Sequence, residues 1–121
     1  MVELPPEPFQ MKIDHDGRGT ATVRLAGAFA ADAHERFAAE LFEVEWENPT
    51  DLILDLREVT FIDSGAMRTI AELWHRSQDA GYALGIVVEG SPAEQAFELA
   101  GLETLPFVRP GERPGEQEGL P

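Results

Sequence analysis

Hydrophobic and polar residues alternate in two short stretches near the start of the chain. The apolar positions are Phe9, Met11 and Ile13 in the first stretch and Ala21, Val23 and Leu25 in the second. Such alternation is typical of half-buried strands. The sequence H-D-G-R-G at 15–19 lies between the stretches and signals a turn. We therefore predict a β-hairpin whose second strand ends at Gly27.

Apolar residues recur at helical spacing in the next segment. Asp32 begins it and Glu35 follows three residues later, which is the spacing of a capping box. Asn48 and Pro49 close it. The predicted buried stripe contains Phe37, Leu41 and Val44, broadened by Ala38, Phe42 and Trp46.

Two further helices are predicted by the same spacing. One starts near Ser64 and stops at Gly81, and the other starts at the Ser91–Glu94 capping box and stops at Gly101. Pro92 occupies the first position of the latter. Their predicted core residues are Ala66, Met67, Ile70, Leu73, Trp74 and Ala80 in the first, and Ala96, Phe97 and Ala100 in the second.

Short apolar runs separate the helices and indicate buried strands. These runs are 52–56 continuing to 59–62, 84–88 and, as a last short strand, 105–108. The predicted order is β-β-α-β-α-β-α-β, which indicates a single α/β domain with a mixed sheet packed against helices. We place this domain at 9–108, between a flexible N-terminus at 1–8 and a disordered Pro-, Gly- and Glu-rich tail at 109–121.

Composition narrows the classes of function. The chain has 121 residues, no cysteine and a net charge of −14. Such a charge repels nucleic acids and anionic lipids, and it indicates either a need for solubility or a basic surface on a protein partner. The N-terminus has no signal-peptide pattern and no stretch is long enough to span a membrane. We expect a soluble, cytoplasmic protein that is monomeric by default.

The sequence lacks the common motifs of catalysis and cofactor binding. The histidines His15, His34 and His75 are scattered, so no metal site is predicted. No G-x-S-x-G, Walker A or G-x-G-x-x-G motif follows a strand. We therefore expect neither a cofactor nor an enzyme. Asp55 is the unusual carboxylate, because it stands in an apolar strand and either binds nearby backbone N–H groups or contributes to a surface around Ser64.

The most informative junction is V-T-F-I-D-S-G-A-M-R at 59–68, where a strand ends and a helix begins. Asp and Ser are favoured helix N-caps, so Ser64 has a purely structural interpretation. A serine at a helix N-terminus beyond the carboxyl end of a strand is also exposed, and the free amides there favour an anion. Ser64 is therefore a good site for a phosphate, which would disfavour a partner docked on this acidic junction.

Several stretches together resemble the STAS domain family of bacterial anti-sigma factor antagonists. They are V-R-L-A-G at 23–27, L-I-L-D-L-R-E-V-T-F-I-D-S-G at 52–65, G-Y-A-L-G-I-V-V at 81–88 and A-E-Q-A-F-E-L-A-G-L at 93–102. The resemblance covers residues 9–108. It implies a protein that binds an anti-sigma factor with serine kinase activity, thereby freeing a sigma factor for stress-responsive transcription.

The resemblance also implies roles for individual residues. The kinase would phosphorylate Ser64, the hydroxyl residue after Asp63, to abolish binding, and a phosphatase would restore it. The implied partner-binding residues are Gly27, Asp32, Asp55, Asp63, Gly65 and Met67. Two positions depart from the family pattern: Gly65 and Ala66 are exchanged, and Ala30 stands where many antagonists carry an acid.

Two other classes of function compete with this hypothesis. The domain could be an accessory subunit of a lipid-transport ABC system or a stress-signalling scaffold without control of a sigma factor, with Ser64 as a contact residue. It could also be a module that binds a nucleotide or another small ligand. Neighbouring genes would distinguish the first alternative, and a thermal shift with nucleotides the second.

Overall fold

Four strands and three helices follow one another in the computed structural model, which describes residues 8–114. The strands are β1 (Gln10–His15), β2 (Thr20–Phe29), β3 (Asp51–Ile62) and β4 (Ala83–Val87). The helices are α1 (Ala33–Trp46), α2 (Ser64–Ala80) and α3 (Pro92–Leu99). Residues 1–7 of the predicted flexible N-terminus and 115–121 of the predicted tail lie outside the described residues.

The strands form one mixed sheet in the order β1-β2-β3-β4. β1 and β2 are antiparallel, which confirms the hairpin. β2, β3 and β4 run parallel, because α1 and α2 carry the chain back between them. The predicted α/β fold with a mixed sheet is therefore confirmed.

The core lies between the sheet and the helices. The sheet contributes the fully buried Val23, Leu25, Leu54 and Leu56. The helices contribute Phe37, Leu41 and Val44 from α1, Ile70 and Leu73 from α2, and Phe97 from α3. These positions repeat every second residue along the strands and every third or fourth along the helices, as the sequence pattern predicts.

The end of β2 is bent at Gly27. This glycine is buried and has a φ of 79°, and the register between β2 and β3 shifts beside it. Glycine occupies this left-handed region without the steric penalty of a Cβ. The strand then continues to Phe29, which pairs with Ile62 at the end of β3. The two strands therefore finish side by side, and the segments that follow them are neighbours.

The predicted last strand at 105–108 is reduced to a single parallel bridge between Ile86 and Phe107. Ile86 donates its N–H to the carbonyl of Pro106 and accepts from the N–H of Val108, each at 2.9 Å. Pro106 has no N–H of its own, so it cannot extend the ladder. Farther along the predicted tail, Pro114 is buried beside Gly85, where a Cβ would lie 2.9 Å from its Cγ.

Some residues assigned to the core are exposed. Phe42 is 65% exposed and Trp46 78% exposed, because they lie on a face of α1 adjoining the buried stripe that no other described element covers. Ala80 and Ala100, near the ends of their helices, are also exposed. In α2 the buried stripe instead includes Ser77, whose hydroxyl donates to the carbonyl of Trp74 at 2.6 Å.

Neither predicted capping box forms. Asp32 has near-helical dihedrals (φ −77°, ψ −3°) and its side chain makes no cap hydrogen bond, since a capping side chain requires an extended backbone. Ser91 is extended, but its hydroxyl donates to the carbonyl of Val88 at 2.6 Å instead of accepting from the helix. Glu94 accepts from the N–H of Gly90.

Candidate functional site

The strand-to-helix junction after β3 presents Ser64 on the surface. Asp63 is the N-cap of α2: its backbone is extended (φ −100°, ψ 174°), and its Oδ1 accepts from the N–H of Ala66 at 2.8 Å. Ser64 is the first helical residue and is exposed. Because Asp63 supplies the cap, the hydroxyl of Ser64 is not needed for it. Within residues 8–114 that hydroxyl has no hydrogen-bond partner.

Asp63 also ties two segments of the site together. Its Oδ2 accepts from the N–H of Ala31 at 3.0 Å, and its own N–H donates to the carbonyl of Phe29 at 3.3 Å. Ala31 has a φ of 53°, a strained value for alanine that turns its N–H towards the carboxylate. The segment 30–32 between β2 and α1 is therefore fixed beside the first turn of α2.

The hydrogen bonds to Asp63 keep its carboxylate charged. The N–H groups of Ala31 and Ala66 lower the pKa of Asp63 below its ordinary value, and partial burial opposes them weakly. The site therefore carries a fixed negative charge next to Ser64 at neutral pH.

His34 belongs to this site, although no sequence motif identifies it. It lies in the first turn of α1, and a Cβ on Gly65 would be 3.9 Å from its Cδ2 and Nε2 atoms. Electrostatic attraction from His34 is a further, smaller cause of the lowered pKa of Asp63. Only the pairing of β2 with β3 brings α1 and α2 together at this end, so spacing along the chain could not identify His34.

Gly65 accepts a side chain without steric conflict. A Cβ built there meets Oδ1 of Asp63 at 3.5 Å, which is ordinary van der Waals contact, and its φ is not in the left-handed region. Ala66, in contrast, is fully buried. The exchanged Gly65 and Ala66 therefore place the small methyl group in the core and leave the exposed side of the turn open.

The other predicted site residues are distributed unevenly around Ser64. Asp32 is exposed on the segment held by Asp63, whereas Gly27 is buried within β2. Met67 is partly buried against the core. Phe61, which no sequence motif marks, is 56% exposed three residues before Ser64.

Asp55 lies apart from this site. It precedes Ile62 by seven strand residues, which corresponds to about 20 Å along the strand. It accepts from the backbone N–H of Arg57 at 3.1 Å, as expected for a buried carboxylate, and from the Arg57 guanidinium at 2.7 Å. Burial raises the pKa of Asp55, but the bonds from Arg57 outweigh it and leave the pKa below its ordinary value. β3 continues past Asp55 to Ile62, so Asp55 lies within the strand and not at its carboxyl end.

Other kinds of site find no support in the described part of the chain. No group of three or more potential metal ligands occurs among residues 8–114. In the same range, no helix is long and apolar enough to cross a membrane.

Comparisons with known proteins agree with this architecture. The structure resembles the crystal structure of an anti-sigma factor antagonist from Mycobacterium paratuberculosis, with a TM-score of 0.74 and 23% identity over 86% of this chain and 88% of that chain. It also resembles the anti-sigma factor antagonist SpoIIAA in its unphosphorylated form, with a TM-score of 0.71 and 16% identity over 85% of this chain and 90% of that chain.

A third similar structure is the Bacillus cell fate determinant SpoIIAA in the phosphorylated form, with a TM-score of 0.66 and 18% identity over 85% of this chain and 93% of that chain. At these identities the likeness concerns the fold. No curated protein matches the chain. The sequence profile of the STAS domain matches residues 12–113, which is most of the chain. The chain therefore belongs to the STAS domain family.

Proposed function

We propose that this protein is an anti-sigma factor antagonist controlled by phosphorylation of Ser64. In its unphosphorylated form it binds an anti-sigma factor that is also a serine kinase, and so frees a sigma factor for transcription. The kinase phosphorylates Ser64 and ends the interaction, and a phosphatase restores it. The observation that carries this proposal is that Asp63 caps α2 and leaves the exposed Ser64 hydroxyl free.

Ser64 acts in this proposal as the substrate of a kinase. A catalytic serine needs a base within hydrogen-bond reach, and within the described residues no side chain hydrogen-bonds to Ser64. Exposure at the first position of a helix instead lets a kinase approach the hydroxyl while the rest of the turn stays bonded. We place the protein in the cytoplasm as a monomer that itself has no enzymatic activity.

The free protein tolerates a phosphate at this position. The N-terminus of α2 favours an anion by about 0.3–1 kcal/mol at an exposed site. Arg68 lies one helical turn after Ser64, is exposed, and forms no ion pair with any of residues 8–114. Repulsion from the charged Asp63 is of similar size, so the fold persists.

The complex does not tolerate the phosphate. A partner docked on Ser64 removes water from a group of about −1.5 to −2 charges beside the charged Asp63. Burying such a group without a dedicated cation costs several kcal/mol. The phosphate therefore acts as a release switch, while the unmodified hydroxyl leaves the surface able to bind.

Residues around Ser64 form the proposed docking surface. Phe61 supplies an exposed aromatic side chain, the type enriched among residues that dominate binding. Asp32, Gly65 and Met67 lie on the segments that Asp63 holds beside it. We expect Phe61→Ala to weaken binding of the kinase by about 10-fold or more, with the free energy of unfolding nearly unchanged.

Mass spectrometry of the protein from its own cells tests the proposal. Trypsin cleaves after Arg57 and Arg68 and releases one peptide, 58–68, that contains both Thr60 and Ser64. Fragment ions distinguish the two hydroxyl residues, so the exposed Thr60 is an internal control. We expect phosphate on Ser64 alone, at a level that changes with stress. An unmodified Ser64 under all conditions would contradict the switch.

A further inference from the structure

The outer face of α1 and the second half of α2 enclose a groove with an aromatic edge. Phe42 and Trp46 are 65% and 78% exposed, and their rings stack at a centroid distance of 6.5 Å. The hollow beside them has a volume of about 660 Å³ and is lined on its other side by Arg76 and Ala80 of α2. Two large adjoining aromatic side chains left in water mark an interaction surface.

Hydrogen bonds fix the side chains at the floor of the groove. Glu45 accepts from the Tyr82 hydroxyl at 2.8 Å and from Nη2 of Arg76 at 3.0 Å. Burial, followed by the bond to Glu45, raises the pKa of Tyr82, so its hydroxyl remains a donor. Arg76 is the one cation among the described residues that line the groove, and it is already paired with Glu45. The aromatic edge therefore lies beside side chains whose positions are fixed.

The surroundings of the groove are negative. Glu43 and Glu47 line a second hollow of about 520 Å³ on the other flank of Phe42 and Trp46. On α2, Glu72 and Asp79 lie four residues before and three residues after Arg76, on the same side of the helix. Neither helix has a basic residue in its last turn, so no side chain of that turn offsets the negative end of either helix.

We propose that this groove docks a basic amphipathic helix of a partner protein. The apolar face of such a helix would cover Phe42 and Trp46, and its lysines or arginines would meet the flanking carboxylates and the two helix ends. A second copy of the chain is disfavoured, since each copy carries a net charge of −14. The chain's own ends, 1–7 and 115–121, contain acidic and no basic residues, so they do not match the groove either.

The groove is separate from the Ser64 site. The segment before α1 is bonded to Asp63, so α1 and α2 both begin near Ser64 and both run towards the groove. Arg76 lies twelve residues after Ser64 in α2, about 18 Å along the helix. A partner in the groove therefore leaves Ser64 uncovered, and the proposal stands independently of the phosphorylation switch.

Fluorescence anisotropy with designed peptides tests this inference on the full-length chain. The probe is a fluorescein-labelled 18-residue helix of leucines at helical spacing and lysines elsewhere, and the matched control carries glutamates in place of the lysines. We expect the lysine peptide to bind and the glutamate peptide not to bind. Absence of binding by the lysine peptide, or equal binding of both peptides, would overturn the proposal.

Variants show whether the groove is the binding site. The double change Phe42→Ser and Trp46→Ser should weaken binding of the lysine peptide by at least about 10-fold. Glu43→Lys should weaken binding of the same peptide by about two- to five-fold. Leu99→Ser removes another exposed apolar side chain, 81% exposed on α3, and should change nothing. If the double variant binds the lysine peptide as tightly as the natural chain does, the peptide is attracted only by the net charge of the protein, and the groove is not its binding site.

Discussion

The two ends of the α1–α2 helix pair expose different chemistry. Near Ser64, one carboxylate, Asp63, satisfies amides from two segments and leaves the Ser64 hydroxyl exposed. At the opposite end, Phe42 and Trp46 leave large apolar rings exposed above carboxylates. The proposed Ser64 switch relies on hydrogen bonds that fix the position of one residue, whereas the proposed groove relies on apolar area and charge.

The largest effect on stability should follow from Asp63→Ala. The change removes the cap of α2 and the bond to the N–H of Ala31 together. Loss of a cap costs about 1 kcal/mol and loss of a hydrogen bond to a charged group about 1.5–3 kcal/mol. We expect the free energy of unfolding, measured by urea denaturation, to fall by about 2.5–4 kcal/mol.

Asp63→Asn and Asp32→Ala are matched controls. Asn retains the capping oxygen but points an NH₂ group at Ala31, so its effect should fall between those of Asp63→Ala and the natural chain. Asp32→Ala should change the free energy of unfolding by less than about 0.5 kcal/mol, because Asp32 makes no cap hydrogen bond. Equal effects at Asp63 and Asp32 would contradict the assignment of Asp63 as the organising residue.

Acid should destabilise the same end of the helix pair. The pKa of Asp63 is lower in the folded protein than in the unfolded chain, where it is about 3.9. Its contribution is therefore complete above the unfolded value and is lost as pH falls through the folded value. Unfolding measured between about pH 5 and pH 2 should depend less steeply on pH in Asp63→Asn than in the natural chain. An unchanged slope would show that Asp63 is not the group that titrates.

Two glycines near the Ser64 site should respond oppositely to alanine. Gly27→Ala forces a side chain into the left-handed region at a buried position and should cost about 1–2 kcal/mol. Gly65→Ala places a methyl group in ordinary contact within a helix and should stabilise by about 0.5–1 kcal/mol. Thermal denaturation of both variants checks this, and a large loss of stability from Gly65→Ala would mean that a methyl group on Gly65 meets a steric clash in the first turn of α2.

The smallest effect on stability should come from the aromatic edge of the groove. Phe42→Ser with Trp46→Ser removes side chains that are already mostly exposed, so the free energy of unfolding should change by less than about 0.5 kcal/mol per site. Urea denaturation measures this. A loss of stability comparable to that of Asp63→Ala would mean that these rings belong to the core. The two ends of the α1–α2 helix pair would then not differ in the way proposed.

The sequence pattern predicted most of the fold because burial leaves a regular signal. The alternation in β2 and the spacing of Phe37, Leu41 and Val44 correspond directly to buried faces. The spacing of apolar residues does not determine how wide the buried face of a helix is, so Phe42 and Trp46 were wrongly assigned to the core. Whether a capping residue actually caps depends on its backbone dihedrals, which explains the failures at Asp32 and Ser91.

The sequence predicted the part of the candidate site whose residues are adjacent in the chain. The order Asp63–Ser64 after a buried strand identified the exposed hydroxyl. The hydrogen bond between Asp63 and Ala31 and the proximity of His34 to Gly65 join residues about thirty positions apart, and only the pairing of β2 with β3 creates them. Asp55 is the opposite case. It lies only nine residues before Ser64 in the sequence, but the length of β3 keeps the two residues apart.

The most direct test of the Ser64 switch is calorimetric titration of an anti-sigma factor kinase encoded in the same genome with two forms of this protein. One form is unmodified and the other is phosphorylated at Ser64, with Ser64→Ala as the control that lacks the hydroxyl but adds no charge. We predict equal affinities for the unmodified protein and Ser64→Ala, and a loss of at least about 100-fold on phosphorylation, the equivalent of about 2.7 kcal/mol. Equal affinity of the phosphorylated and unmodified forms would contradict the account.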